Sequence, residues 1–352
     1  MGEEKRSISI QEAFNPAVIK KGIFYFTSIT IVAFAAIFFY TNTGKTLEVW
    51  SNLDWKYFFI CAVIVILDML LGGWRNHIFV REFLPRTSQW VAFKANLANI
   101  FMGAVTPSQT GGGVAQLYIL YKNGLKLSDG ITLSFINWIS TLIFFPISGG
   151  LAYIIIKDRI PEGFISYLAQ FGFTVFATLI IVVMIGLFFP ATIGWVLIKI
   201  SSVIAFFNKN WKTKLEAAGL KVNESLIDYR NKCTKLLKHK PQLLLYSLLI
   251  TVLLYFNKYI LAYFIVLAFG AEADFAVIIS IQAIVYLLLY FSPSPGGSGI
   301  AELSIAGLMA GILSNDYLAS FTLLQRSFLV MIPAMSGAYV VLKQLAKSAK
   351  EK

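Results

Sequence analysis

The chain has 352 residues, 57% of them hydrophobic and only 14% charged, with a mean hydropathy of +0.72. Soluble domains run nearer half apolar and a quarter charged, so this composition excludes a disordered, fibrous or ordinary cytosolic protein and leaves room for about six to eight membrane spans of ~20 residues. The net charge of +12 would suggest nucleic acid in a soluble protein, but here the basic residues sit between apolar runs, where membrane orientation and anionic headgroups account for them; no nucleic-acid partner is expected.

Six runs read as transmembrane helices: 22–40, 57–74, 130–156, 163–189, 242–271 and 317–342. The first is too long for a signal-peptide core and no small-residue cleavage site follows it. The second is interrupted only by Asp68, the fifth only by Lys258 and the sixth only by Arg326. Pro146 and the Gly149-Gly150 pair are expected to kink the third. Two further stretches, 90–121 and 275–313, are apolar but broken by polar and glycine-rich tips at 106–113 and 292–299. Their pieces are mostly too short to span, so each reads as a re-entrant hairpin: a helix in, an irregular tip, a helix back out. The expected fold is all-α and polytopic, with six transmembrane helices plus two re-entrant helical hairpins in one integral membrane domain.

Charge orients this arrangement. With the N-terminus inside, the cytoplasmic segments carry 24 Lys and Arg and the outer segments 4, so both termini are expected in the cytoplasm. The hairpins then enter from opposite faces. Residues 191–207 could form a seventh span, but that would export the segment 209–240, with 9 basic and 3 acidic residues; a cytoplasmic or interfacial basic segment over 190–241 fits the charge better. That segment either touches anionic lipid or serves only as a topology signal.

The two tips align without a gap. Thr-Pro-Ser-Gln-Thr-Gly-Gly-Gly-Val-Ala-Gln (106–116) and Ser-Pro-Ser-Pro-Gly-Gly-Ser-Gly-Ile-Ala-Glu (292–302) share five identities and three close substitutions in eleven positions. With their opposite entry sides, this reads as an inverted repeat, an arrangement that in transporters places a binding site where the broken helices meet. Pro and Gly end one half-helix, and the next begins with unpaired N–H groups and a partial positive charge suited to phosphate. Thr106, Pro107, Ser108, Gly111, Gly113 and Gln116 in the first tip, and Ser292, Pro293, Ser294, Gly297, Gly299 and Glu302 in the second, are therefore candidate substrate-binding residues; structural turns are the other reading. Charges at depth are costly and usually paired or functional. A Glu302–Arg326 pair is expected, Lys258 is placed toward the same cavity, and Asp68 is expected to pair with Arg75. Arg75, Arg81 and Arg86 are topology signals or headgroup guides.

No catalytic motif, Walker sequence or Cys/His cluster is present, so no enzyme activity, cofactor or metal is expected. Two cysteines, Cys61 and Cys233, are too few for a disulfide framework, and His77 and His239 give little material for a metal site.

At Thr106–Gly113 and at Pro293–Glu302, followed by Arg326, the chain resembles the flippase-like integral membrane proteins related to the transmembrane part of lysylphosphatidylglycerol synthase. The resemblance covers nearly the whole chain, and Pro-Gly-Gly-x-Gly-x-x-Glu is its most specific element. It implies a bacterial inner-membrane protein that translocates lipid, with Glu302 and Arg326 at recurrent positions. Two features depart from the pattern: Gly113 and Gln116 stand where an acidic and a basic residue are common, and the synthase's soluble aminoacyl-transfer domain has no counterpart in this sequence. The expected activity is movement of an anionic phospholipid or polyprenyl-phosphate lipid between leaflets of the inner membrane. A proton-coupled transporter of a small anion, and a non-transporting subunit of a lipid-modifying system, remain alternatives; a homo-oligomer is left open. Single-cysteine labelling tests the topology. With Cys61 and Cys233 replaced, a cysteine at Ser225 should react only from the cytoplasmic side and one at Asn315 only from outside; labelling of both from the same side overturns the orientation.

Overall fold

The computed structural model describes residues 16–41, 46–157, 240–290 and 292–350, with scattered residues between 170 and 239. These form helices α1 (Pro16–Thr41), α2 (Thr46–Ser51), α3 (Trp55–Phe83), α4 (Gln89–Val105), α5 (Thr110–Lys122), α6 (Leu127–Ile156), α7 (Gln242–Ala268), α8 (Phe275–Leu289), α9 (Ile300–Met309), α10 (Asn315–Arg326) and α11 (Ile332–Lys350). No strand occurs among the described residues. Short 3₁₀ turns at Pro107–Gln109 and Pro295–Gly297 interrupt α4–α5 and α8–α9, and a π-turn at Ser327–Met331 joins α10 to α11.

Local chemistry sets several boundaries. Asp54, Ser88 and Asp274 accept hydrogen bonds from the first-turn N–H groups of α3, α4 and α8 at 2.9, 3.3 and 2.9 Å. Pro107 follows one residue after α4 and cannot donate to continue it. Pro333 explains the wide turn before it. It has no N–H, and its ring crowds the carbonyl four residues back, so the helix opens at Ser327–Met331 instead of stopping.

Among the described residues, five helices are long and apolar enough to cross a membrane: Ile19–Thr41, Trp55–Phe83, Leu127–Ile156, Gln242–Ala268 and the continuous Asn315–Lys347. The expected span 163–189 is described only at residues 170, 172, 174–182 and 185, all of them helical, and its remainder lies outside the described residues, as does nearly all of 190–241. The second span is longer than expected. Arg75, His77 and Arg81 do not follow it but lie within α3, which runs to Phe83. A charge ends an apolar run in the sequence without ending the helix.

Large apolar side chains face outward along the spans, such as Phe39 on α1, Phe59 on α3, Ile154 on α6 and Leu253 on α7. Polar and charged groups face inward, among them Asp68, Asn137, Ser247, Gln282, Glu302, Gln325 and Arg326. This distribution suits a lipid solvent, where backbone groups are satisfied within helices and charged side chains turn to the interior.

Two cores lie toward opposite ends of α3. Cys61, Ile265, Ile278, Ile284, Met309 and Phe321 pack the α8–α9 hairpin against the start of α3, α7 and α10. Phe79, Phe101, Ile119, Ile136 and Val341 pack the α4–α5 hairpin against the end of α3, α6 and α11. The bases of the two hairpins thus point to opposite ends, while the turns Pro107–Gln109 and Pro295–Gly297 pack against each other. At 1.5 Å per residue α4, α5, α8 and α9 are each about 15–25 Å long, short of the ~30 Å hydrocarbon thickness.

Helix α4 is wedged between α1, α3, α5 and α11. The fit depends on absent side chains: a Cβ on Gly337 of α11 would sit 2.1 Å from the Leu97 carbonyl oxygen, and one on Gly22 of α1 would sit 2.0 Å from that of Val105. Gly337→Ala should therefore lower stability by about 1–3 kcal/mol. Gly307→Ala, whose Cβ would meet nothing within 4 Å, should cause no loss. Thermal unfolding of both variants in detergent checks this.

Candidate functional site

The second tip is built on one buried ion pair. Arg326 closes α10, and its Nε donates to Glu302 Oε1 at 2.8 Å, with the two side chains 5% and 0% exposed. The other carboxylate oxygen, Oε2, accepts from the Gly299 N–H at 2.6 Å. Arg326 Nη2 donates to the Gly296 carbonyl at 3.0 Å. Glu302 thus caps the N-terminus of its own helix, where the sequence suggested a vacant anion site, and Arg326 satisfies a carbonyl of the tip. The chain follows this route because Gly296, Gly297 and Gly299 take positive φ values of 57°, 72° and 83°. Ser298 Oγ accepts from Thr30 of α1 at 2.9 Å, and Ser292 and Ser294 share a hydrogen bond of 2.9 Å.

The first tip is held differently. Thr106 Oγ1 donates to the Met102 carbonyl at 2.5 Å and accepts from the Gly111 N–H at 2.9 Å, capping the start of α5. Pro107, Ser108, Gln109 and Thr110 are exposed, whereas Pro295, Gly297 and Ser298 are buried. Gln116 is not the structural counterpart of Glu302. It lies in the second turn of α5, accepts from Asn99 Nδ2 at 2.8 Å and donates to Asn76 Oδ1 at 3.4 Å, away from any cap. The expectation drawn from aligned positions fails because the two helices start at different points of the shared pattern.

A cavity of about 250 Å³ opens where the tips meet. Gln109 reaches it from the first tip, and Gly296 and Gly297 from the second. Lys258 and Arg326 bring positive charge to its wall, and Tyr255, Tyr286 and Tyr290 line the aromatic side. That side is braced by Phe145, whose ring lies 4.7 Å from Tyr255 and 5.2 Å from Tyr290. Gln325 also lines the cavity and donates to the buried Gln282 at 2.5 Å.

Lys258 does face this space, as expected, but it also answers Asp68: its Nζ lies 2.5 Å from Asp68 Oδ2. The expected Asp68–Arg75 pair is therefore replaced by Asp68–Lys258. Arg75 instead donates to Thr251 Oγ1 at 3.5 Å, and its buried Nε has no hydrogen-bond partner among the described residues. Of the residues nominated from sequence, Gly297, Lys258 and Arg326 line the cavity, and Glu302 stands behind Arg326. Thr106, Gly111, Ser292 and Gly299 shape the tips, whereas Pro107, Ser108 and Pro293 are exposed and Gly113 borders open space. Gln109, Tyr255, Tyr286, Tyr290 and Gln325 were missed. Gln325 was findable as a polar side chain in an apolar run beside Arg326; the tyrosines were hidden among 16 tyrosines and 30 phenylalanines.

The arrangement sets two cationic side chains, each already held by a carboxylate (Lys258 by Asp68, Arg326 by Glu302), beside hydroxyls and amides that can receive a polar or anionic group. Its volume falls below the roughly 300–1,000 Å³ of a site that engulfs a drug-sized ligand, so it suits a headgroup phosphate rather than a whole lipid.

The family model described as the lysylphosphatidylglycerol synthase TM region matches residues 25–337. A UPF0104 membrane protein of Archaeoglobus fulgidus is 23% identical over 327 residues, covering 91% of this chain and 96% of its own. A UPF0104 membrane protein of Pyrococcus horikoshii is 21% identical over 336 residues, covering 92% and 97%. Both relatives are archaeal, so they do not carry the expectation of a bacterial inner membrane. No solved structure matches the chain.

The ion pair can be tested by a double-mutant cycle. Arg326→Ala leaves a buried carboxylate without its partner and should cost about 3–5 kcal/mol. Glu302→Gln should cost less, because the amide oxygen still accepts from Gly299. The pair Glu302→Gln/Arg326→Ala should be less destabilised than the sum of the two single variants by about 1–3 kcal/mol. Additive losses in thermal or denaturant unfolding would show that the two groups do not act together.

Proposed function

Because the chain belongs to the lysylphosphatidylglycerol synthase transmembrane-region family and is a multi-pass integral membrane protein, we propose that it is a lipid transporter. In this reading it moves an anionic phospholipid or a polyprenyl-phosphate lipid between leaflets. The cavity between the touching tips carries the argument: Lys258 and Arg326, ion-paired to Asp68 and Glu302, line it inside a bundle whose outer faces are apolar, so that a lipid phosphate can compete for these two cations. The phosphate enters between these side chains, and the acyl or prenyl tails stay in the bilayer, which agrees with a cavity too small for the whole molecule.

The same reading completes the topology. The hairpins α4–α5 and α8–α9 are re-entrant, enter from opposite faces as an inverted repeat, and join a sixth span at 163–189. Both termini lie in the cytoplasm. The short helices, the contact between the tips and the opposite-pointing bases support this arrangement. The protein has no enzymatic role in this scheme: its side chains bind and pass a headgroup, with no bond made or broken.

Reconstitution decides among the candidate activities. In proteoliposomes, the wild-type chain should move labelled phosphatidylglycerol or a polyprenyl phosphate between leaflets. Lys258→Gln should lower that rate at least about tenfold per folded molecule, the scale of one lost charge-assisted contact. Accumulation of soluble phosphate without lipid movement would instead assign a small-anion transporter. Unchanged function in cells for variants of both tips, with no transport of either kind, would assign a non-transporting subunit.

A further inference from the structure

A second cationic surface lies apart from the tips. Three helix segments converge on it: the first turns of α4, the end of α5 and the C-terminal part of α11. They enclose a groove of about 630 Å³ whose walls carry Lys94, Lys122, Lys343 and Lys347 together with the amides Asn123 and Gln344. None of the described residues lining it is acidic. Lys94 and Lys122 are exposed, and Lys343 Nζ lies 5.7 Å from the centre of the Tyr339 ring.

The level of these lysines in the fold is defined by the sequence. Residues 327–342 contain no charge, and Lys343 is the first beyond them. Lys122 is the last residue of α5, and Lys94 lies in the second turn of α4. The four side chains therefore form a ring of lysines at the ends of three helices, at the level where the uncharged run 327–342 of the last helix stops. From that ring an apolar stripe descends along α11. Met335, Tyr339 and Leu342 share one face at helical spacing and are 73%, 67% and 60% exposed, so the stripe is open to lipid beside the cationic groove.

We propose that this groove is a binding site for an anionic phospholipid of the leaflet on that side, distinct from the transport cavity. The phosphate sits among Lys94, Lys122, Lys343 and Lys347, with Asn123 and Gln344 as hydrogen-bond partners. An acyl chain lies along Met335, Tyr339 and Leu342. The apolar stripe selects a lipid over a free anion: a soluble phosphate or polyanion would use the lysines alone and gain nothing from the exposed face below them. Lysine suits the task, because its long stem packs along apolar surface while the ammonium stays at headgroup level. The site ties α4 and α5 to α11, so an occupied groove braces the base of the first hairpin.

Photocrosslinking of the full-length protein tests the assignment without reference to transport. A benzophenone side chain at Tyr339 is activated in vesicles of phosphatidylcholine containing a minor fraction of phosphatidylglycerol, and the lipid adducts are weighed by mass spectrometry. Phosphatidylglycerol should be enriched in the adduct at least fivefold over its share of the vesicle. Lys94→Gln/Lys343→Gln should abolish most of that enrichment, bringing the adduct to within about twofold of the vesicle composition, because each interfacial lysine supplies part of the attraction to the anionic headgroup. Lys94→Arg/Lys343→Arg should retain it, and raised salt should weaken it. Thermal unfolding confirms that the variants are folded. An adduct that mirrors the vesicle composition, or enrichment unchanged in the double Gln variant, overturns the proposal. Loss of the adduct with millimolar inorganic phosphate would reassign the groove to a soluble anion. A transport-defective Lys258→Gln protein should still give the enriched adduct, so this test stands or falls independently of the proposed transport.

Discussion

A helix end buried in the protein interior must find partners for the backbone groups it leaves open. That constraint governs this molecule, and the Glu302–Arg326 pair is the main answer to it at the second tip. One carboxylate oxygen holds the Gly299 N–H and the other holds the guanidinium, which in turn holds the Gly296 carbonyl. Three chain segments are closed by two side chains. A structural role and a functional one are not opposed here: fixing the tip is also what places Arg326 on the cavity wall.

The two tips reach the same backbone form from different residues. Each begins with Pro in a 3₁₀ turn and continues with two residues of positive φ: Ser108 and Gln109 in one, Gly296 and Gly297 in the other. Glycine adopts that conformation freely, whereas serine and glutamine pay roughly 1–2 kcal/mol each. Strain of this kind persists where the surroundings over-determine it and is concentrated at functional sites. The strained tip is also the exposed one and sends Gln109 to the cavity, while the relaxed tip is buried and cross-linked. The pair therefore joins an anchored half to an accessible half.

Long uncharged runs made the spans legible, because few other structures tolerate them. Glu302 and Arg326 were legible as partners because each is a lone charge in an apolar segment, and burial of one demands the other. Less was visible wherever the decisive partner was remote. Asp68 has Arg75 seven residues away on its own helix but pairs with Lys258, 190 residues along the chain. The alignment of the tips was informative but out of register with the turns: it matched Pro107 to Pro293, whereas the second turn starts at Pro295. Spacing in sequence could not reveal that slip, because Ser-Pro-Ser-Pro offers two prolines and only the backbone chooses between them. The aromatic wall was illegible for a simpler reason: aromatic residues are abundant throughout the chain.

The π-turn at Ser327–Met331 also shapes how the last span is used. An α-helix rotates by about 100° per residue, so one additional residue in a turn resets the phase of everything after it. Arg326, just before the turn, points to the protein interior, while Met335, Tyr339 and Leu342, just after it, point outward and lead to the lysines. A single uninterrupted helix would fix the angle between these two sets of side chains, so that turning one half would carry the other with it. With the phase broken, the two halves of one rod are indexed separately: one to the ion pair and the tip, the other to the membrane boundary.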